Sequence, residues 1–358
     1  MYMIVVGHCL FHGRVTAKLG YGTVNYFLSY LIQSFSVVHV NCFAMLAGYF
    51  SIDREFQAQR LFRFWRQVVF YSVLIGLICS VCIGVTGTDV IKAIFPVSSN
   101  HYWFASVYMG LSLLMPFAGM LAVQLTKKQY QYLLALLALF FSVNHMIFRV
   151  NTYGTYVGRE LPWFLFLALL AGYLKLHTRP DRKYFWYGLL GYAAASLAVL
   201  ASVYLSVRLH QEDIGYFLNY NSPLALAAAG SLFLCVKNMP WQENRLDGWI
   251  QKVAGAAFGV YLIHDNYLIR YQVWDAFRAS RVARTHWAVI YAVLAAGAVY
   301  VICTCLELLR QRIFLKVGKW YAKTAWYVRE QRFCARLDQL IAVADKRGRE
   351  RQAETSDE

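Results

Sequence analysis

Apolar residues run along this chain in long stretches, not in the strict alternation of a half-buried strand. A helix crossing a bilayer needs about 20 mostly apolar residues. Suitable stretches lie near 24–50, 61–86, 103–124, 129–148, 161–177, 184–207, 222–237, 253–270 and 287–311. The opening "MYMIVVGHCLFHGR" adds an incomplete tenth over residues 1–12. The pattern predicts an all-α integral membrane protein with about ten transmembrane helices.

The pattern also divides the chain. A polytopic membrane domain is expected over 1–312. Over 313–344, "LKVGKWYAKTAWYV" interleaves basic residues with Trp320, Tyr321, Trp326 and Tyr327, as suits a helix lying along the membrane interface. The charged end "DKRGRERQAETSDE", residues 345–358, reads as disordered. The first stretch is too short: 12 residues rise only about 18 Å as a helix, against a hydrocarbon core of about 30 Å. A charged amino terminus and unpaired N–H groups inside a bilayer are costly, and the stretch lacks the basic start and cleavage site of a signal peptide. The expectation is a first helix truncated at its N-terminus, whose start lies upstream; a short re-entrant segment is the alternative.

Composition agrees with this class. Of the 358 residues 59% are hydrophobic, 17% aromatic and only 15% charged, unlike a soluble domain. The net charge of +16 would suit nucleic acid, but the basic residues sit in short loops and the tail rather than in one binding stripe. With residue 1 on the cytoplasmic side and the helices alternating, most Lys and Arg fall inside, as the positive-inside rule asks. Both ends are then cytoplasmic, and Arg270, Arg278, Arg281 and Arg284 are the main exception. The eight cysteines form no metal framework: Cys79 and Cys82 have half a zinc spacing within an apolar run, and Cys303 and Cys305 point to different helix faces. No metal is expected, and no phosphate-binding or nucleotide-binding glycine motif is present.

Several polar residues stand out against this background. An ionisable residue inside a membrane usually faces a cavity or a partner. His8 therefore reads either as an internally hydrogen-bonded histidine or as an acid/base group, since neutral imidazole can take a proton from an alcohol. Arg60, Arg63 and Arg66 in "RLFRFWRQ" recur every third residue along one side of a helix, and guanidinium matches phosphate oxygens; ordinary positive-inside charge is the alternative. "FPVSSNHYWF" places Asn100 and Trp103 in a polar, aromatic lip, either a glycan contact or a helix cap with an aromatic belt. "GVYLIHDN" brings Tyr261, His264, Asp265 and Asn266 to the outer end of the ninth helix, with Tyr261 and His264 on one face and Asp265 free to pair with a cation on another helix. "YNSP" reads as a helix start, and Arg159 and Glu160 are placed to pair with each other.

Together "VVGHCLFHG", "VNCFAMLAGYF", "RLFRFWRQ", "FPVSSNHYWF", "YNSPL" followed by "KN", and "FGVYLIHDN" resemble membrane acyltransferase family 3, to about residue 315. Members of that family O-acylate bacterial cell-surface sugars, and the likeness is closest to the exopolysaccharide and capsule branch. The resemblance implies a first-helix histidine, matched by His8, with a basic residue eleven positions before it that would fall ahead of Met1. It implies an Arg-x-x-Arg pair, matched by Arg60/Arg63 or Arg63/Arg66. Ala47 stands where the family commonly has Ser.

The implied function is transfer of an acetyl group from acetyl-CoA to a hydroxyl of a cell-surface or lipid-linked glycan in the bacterial cytoplasmic membrane. His8 and His264 are the expected catalytic pair. Arg60, Arg63 and Arg66 would hold the CoA phosphates, and Asn100, Trp103, Tyr261, Asp265 and Asn266 the acceptor. Direct transfer and an acyl-histidine intermediate both remain open. The expected partners are the glycan, the bilayer and polysaccharide-biosynthesis proteins, and no nucleic acid. The rival readings are a transporter or flippase for a lipid-linked glycan, and an inactive truncated homologue.

Overall fold

The computed structural model describes residues 1–82, 84–210 and 213–356, and it is helical throughout, with no strand among the described residues. The chain opens with α1 (Tyr2–His12), α2 (Val24–Ser36) and α3 (His39–Ser51), followed by α4 (Ala58–Cys82) and the short α5 (Gly87–Ile94). Next come α6 (Trp103–Gln124), then α7 (Lys127–Ala138), which passes through a π-helical turn (Leu139–Asn144) into α8 (His145–Phe148). The second half holds α9 (Leu161–His177), α10 (Arg182–Arg208), α11 (Pro223–Lys237), α12 (Asp247–His264), the short α13 (Gln272–Ala276) and α14 (Ala279–Val282), α15 (Ala288–Tyr321) and α16 (Ala325–Ser356).

Each of the ten apolar stretches coincides with a helix or a pair of consecutive helices, but only six are long and apolar enough to cross a membrane. These are 24–51, 58–82, 103–124, 127–148, 182–208 and 288–321. The other four fall short for visible reasons. Helix α1 has 11 residues, α11 has 15 and α9 has 17; α12 reaches 18 but carries Asp247 and Lys252 in its first two turns. The 24–51 span is interrupted at Val37–Val38, and there the carbonyl of Phe35 accepts the Tyr192 hydroxyl at 2.6 Å. Sequence signals set many of the ends: Thr86 with Asp89 and Thr126 with Gln129 form reciprocal capping boxes, and Ser222 caps α11 with Pro223 in its first turn.

Helices packing within lipid gain little from hydrophobic transfer and rely on close backbone approach at small residues. A Cβ on Gly48 of α3 would lie 2.3 Å from the Ala168 backbone of α9, and one on Gly188 of α10 would lie 2.5 Å from the Cys235 nitrogen of α11. Alanines 288, 292, 295 and 296 of α15 let α1 approach, with Val5, Val6, Cys9 and Leu10 in the seam. Between α12 and α15 the small residue is Gly259, whose missing side chain is replaced by the carboxylate of Glu307. That carboxylate is fully buried and accepts hydrogen bonds from Gln67, Tyr71, Arg310 and Gln311. It ties α4, α12 and α15 together.

Helix α15 runs unbroken past residue 312 to Tyr321, so the last apolar helix and the start of the basic tail are one element. Helix α16 then turns back onto α4: Asp338 accepts from the Ala58 nitrogen at 2.7 Å, Phe333 meets Phe62, and Glu330 pairs with Arg66 and accepts from Tyr321. Of the polar end, 345–358, the backbone to Ser356 continues α16, and residues 357 and 358 lie outside the described residues.

The close contact of α3 with α9 gives a test. Gly48→Val should force the two backbones apart and sharply reduce the yield of folded, monodisperse protein. Gly230→Ala, in open space on α11, should be neutral or stabilise by up to about 1 kcal/mol; both are read by thermal unfolding in detergent.

Candidate active site

Two helix ends converge beside the α1–α15 seam. Helix α12 stops at His264, and its last turn brings the imidazole Nδ1 to 2.6 Å from the Val260 carbonyl oxygen. A carbonyl only accepts, so Nδ1 carries the proton and Nε2 presents a lone pair. His8 Nδ1 lies 3.0 Å from that Nε2. His8 must therefore donate from Nδ1, which leaves its own Nε2 unprotonated. The hydrogen-bond network thus fixes both tautomers and leaves one basic nitrogen at the end of the chain of bonds.

The next residue, Asp265, is buried and brings its Oδ1 to 3.5 Å from His8 Nδ1 and 3.3 Å from Nε2 of His12. The groups on another helix that face Asp265 are these two histidines, where a cation was expected. A carboxylate at this distance favours an imidazolium on His8 once it takes up a proton. His8 keeps 20% of its side-chain surface exposed, against 4% for Asp265, so the basic nitrogen has access while its counter-charge does not. Gly7 of α1 leaves room for His39, whose Nε2 would stand 3.8 Å from a Cβ there.

Tyr102, between the turn before α6 and that helix, braces the α12 terminus. Its hydroxyl donates to the Leu262 carbonyl at 2.9 Å and accepts from the Asn266 amide at 2.5 Å. The Asn266 carbonyl oxygen accepts from the Leu268 nitrogen, so this fully buried residue, expected to touch the acceptor, holds the backbone that carries His264 and Asp265. Tyr261 is buried, and its ring packs against Tyr102, Phe104 and Phe258.

Trp103 forms a lip. Its ring lies nearly parallel to that of Tyr220, 15° apart with centroids 6.4 Å apart, and the Arg159 guanidinium stands 5.4 Å over Trp103 and 6.0 Å over Tyr220. Asn41 donates to the Tyr220 carbonyl and accepts from Trp163, while His39 meets the Tyr220 ring edge-on. Arg159 therefore stacks on aromatic rings, and only its backbone nitrogen bonds Glu160; the expected side-chain pairing of Arg159 with Glu160 is not made. Asn100 stands exposed in the preceding turn with φ of 53°.

The three arginines of α4 separate. Arg60 lines a cavity of about 490 Å³ with Arg54, Gln57, Phe64, Tyr108 and Ser112; Arg63 is exposed; Arg66 is paired with Glu330. Neither His8 nor His264 lines this cavity. Phe64, on its wall, stacks on Phe258 at 4.7 Å, and His264 lies six residues further along α12, about 9 Å away along the axis. A wall of aromatic rings separates the arginine-lined cavity from the histidines.

Sequence reasoning passed over His12, His39, Tyr102 and Tyr220 as site residues. His12 had a signal, because four positions from His8 is the same helix face. Tyr220 and His39 meet only through the packing of α3 against the α11 entrance, which no local pattern encodes. Comparison with known families matches an acyltransferase domain model, acyltransferase family 3, to residues 1–307. No curated protein and no solved structure matches the chain.

Tyr102→Phe removes the donor to Leu262 and the acceptor for Asn266. It should lower stability by about 1–3 kcal/mol, visible as a lowered melting temperature in detergent.

Proposed function

Because the chain belongs to acyltransferase family 3, we propose that it moves an acetyl group from acetyl-CoA to a hydroxyl of a cell-surface or lipid-linked glycan in the bacterial cytoplasmic membrane. The observation that carries this reading is the relay Val260–His264–His8, which leaves a basic nitrogen on a partly exposed imidazole with a buried carboxylate behind it.

In this reading His8 Nε2 takes the proton of the acceptor hydroxyl as its oxygen attacks the thioester carbon. The C–S bond breaks, and the proton on Nε2 passes to the departing thiolate, so the histidine returns to its starting state. His264 is a positioning residue: it holds His8 in the productive tautomer. Asp265 supports the imidazolium that exists between the two proton transfers. Arg54 and Arg60 at the cavity rim suit the phosphates of CoA, with the acyl arm directed inward past Phe64. The wall at Phe258 and Tyr261 must part for the thioester to reach His8. Trp103 and Tyr220 offer flat apolar faces on which a sugar ring can rest, beside the donor fork of Arg159. Placing the arginine cavity on the cytoplasmic side, where acetyl-CoA is found, and the lip on the outer side agrees with the charge distribution of the loops.

The test is acyl transfer from labelled acetyl-CoA to surface polysaccharide by the purified chain in detergent or vesicles. His8→Ala should lower the rate by about 10²–10⁴-fold. His264→Gln should lower kcat and alter its pH profile while leaving KM for acetyl-CoA little changed. Arg60→Ala should do the reverse, raising that KM with kcat retained. Transfer at the original rate by His8→Ala would remove the proposed base.

A further inference from the structure

The histidine cluster contains more ligand atoms than a proton relay uses. His8 and His12 are one turn apart on the same face of α1, and with Asp265 they bring three potential metal-ligand atoms within 4.8 Å of one another. The separations are 3.3 Å from Asp265 Oδ1 to His12 Nε2 and 3.5 Å from Oδ1 to His8 Nδ1. Ligand atoms on a tetrahedral zinc ion with bonds of 2.0–2.2 Å stand about 3.3–3.5 Å apart. Oδ1 is buried and meets these two ring nitrogens only at long range, where a buried carboxylate oxygen ordinarily has a close donor. Two imidazoles and a carboxylate are also a donor set found at catalytic zinc sites, with the fourth position open. The partly exposed His8 gives the ion a way in and leaves a fourth position for water.

We propose that His8, His12 and Asp265 form a binding site for a divalent transition metal, zinc by preference, and that its occupation switches off the base. Binding uses the lone pair of His8 Nδ1, the atom that in the relay donates to His264. The single imidazole proton must then sit on Nε2. The nitrogen required to accept the hydroxyl proton becomes an N–H donor, and the hydrogen bond to His264 is lost. The Nδ1–H bond breaks and an Nε2–H bond forms, exchanged through water, so His8 releases no net proton and keeps its charge. Zinc and the relay are therefore mutually exclusive. The inhibitory consequence rests on the acyl-transfer reading; metal binding itself does not.

The experiment uses the full chain in detergent with the exposed thiols removed by Cys82→Ala and Cys305→Ala. Titration with Co²⁺ should give the visible bands of a tetrahedral ion, saturating at one equivalent and erased by Zn²⁺. His12→Asn and the near-isosteric Asp265→Asn should each weaken binding at least tenfold, their folding checked by melting in detergent. Absence of saturable tetrahedral bands, or affinity unchanged in both variants, would overturn the site. In parallel, acetyl transfer should fall with added Zn²⁺ at the same midpoint as metal binding, and continued transfer with the site filled would overturn the switch. A chain that binds Co²⁺ in this way but transfers no acyl group from any acyl-CoA in metal-free buffer refutes the acyltransferase reading and leaves the metal site standing.

Discussion

Everything near the histidines depends on how deep α12 sits in the bundle, and that is set by one buried carboxylate. Glu307 fills the space that a side chain on Gly259 would occupy, so α12 rests directly on it. Its two oxygens take hydrogen bonds from Gln67 and Tyr71 of α4 and from Arg310 and Gln311 of its own helix. A buried charge is tolerated only when paired and fully hydrogen-bonded. This one is, and the demand for partners holds three helices in register. Five residues beyond Gly259, the helix ends at His264. A change in the seat of Glu307 would move the imidazole before it altered any group that touches it.

From that anchor the polar groups are graded. At the α12 terminus, Tyr102 and Asn266 satisfy the backbone and hold the turn; Val260 and His264 orient an imidazole; His8 retains both a lone pair and exposure. Low surrounding polarity strengthens each of these bonds and makes any mispairing costly. The arginine-lined cavity lies on the other side of the Phe64–Phe258–Tyr261 rings, and its charges stand where water can reach them. A phosphate-bearing donor and a desolvated acid/base centre make opposite demands on solvent. The aromatic wall lets one bundle meet both.

The sequence made the membrane class and the helical segments legible and singled out His8, His264 and Asp265, which the fold brings together, because apolar runs and isolated ionisable residues within them are local signals. Among the described residues six helices are long and apolar enough to cross a membrane against about ten expected, because a hydropathy window does not fix where α9 and α11 end. The three arginines differ in a way that their spacing does not show. Spacing by three places Arg60, Arg63 and Arg66 along one side of α4, yet only Arg60 lines the cavity, while α16 returns from more than 260 residues away to take Arg66. Glu307 went unremarked for the same reason. As an acidic residue within an apolar run it carried the same signal as His8, but its partners on α4 are distant in the chain. What stayed hidden was tertiary pairing, and what could be read was periodicity and polarity.

The third histidine separates two ways of understanding the cluster. A relay ending at His8 needs Val260, His264 and a counter-charge, and Asp265 supplies the last whether or not His12 is present. His12 adds a second ring nitrogen at 3.3 Å from the same carboxylate oxygen. In a buried setting that arrangement costs desolvation and returns little unless an ion or a proton can occupy the space between the atoms. A proton would serve one nitrogen at a time. A divalent ion serves His8, His12 and Asp265 together. The surplus ligand is therefore better explained by a cation that competes with the relay than by the relay alone.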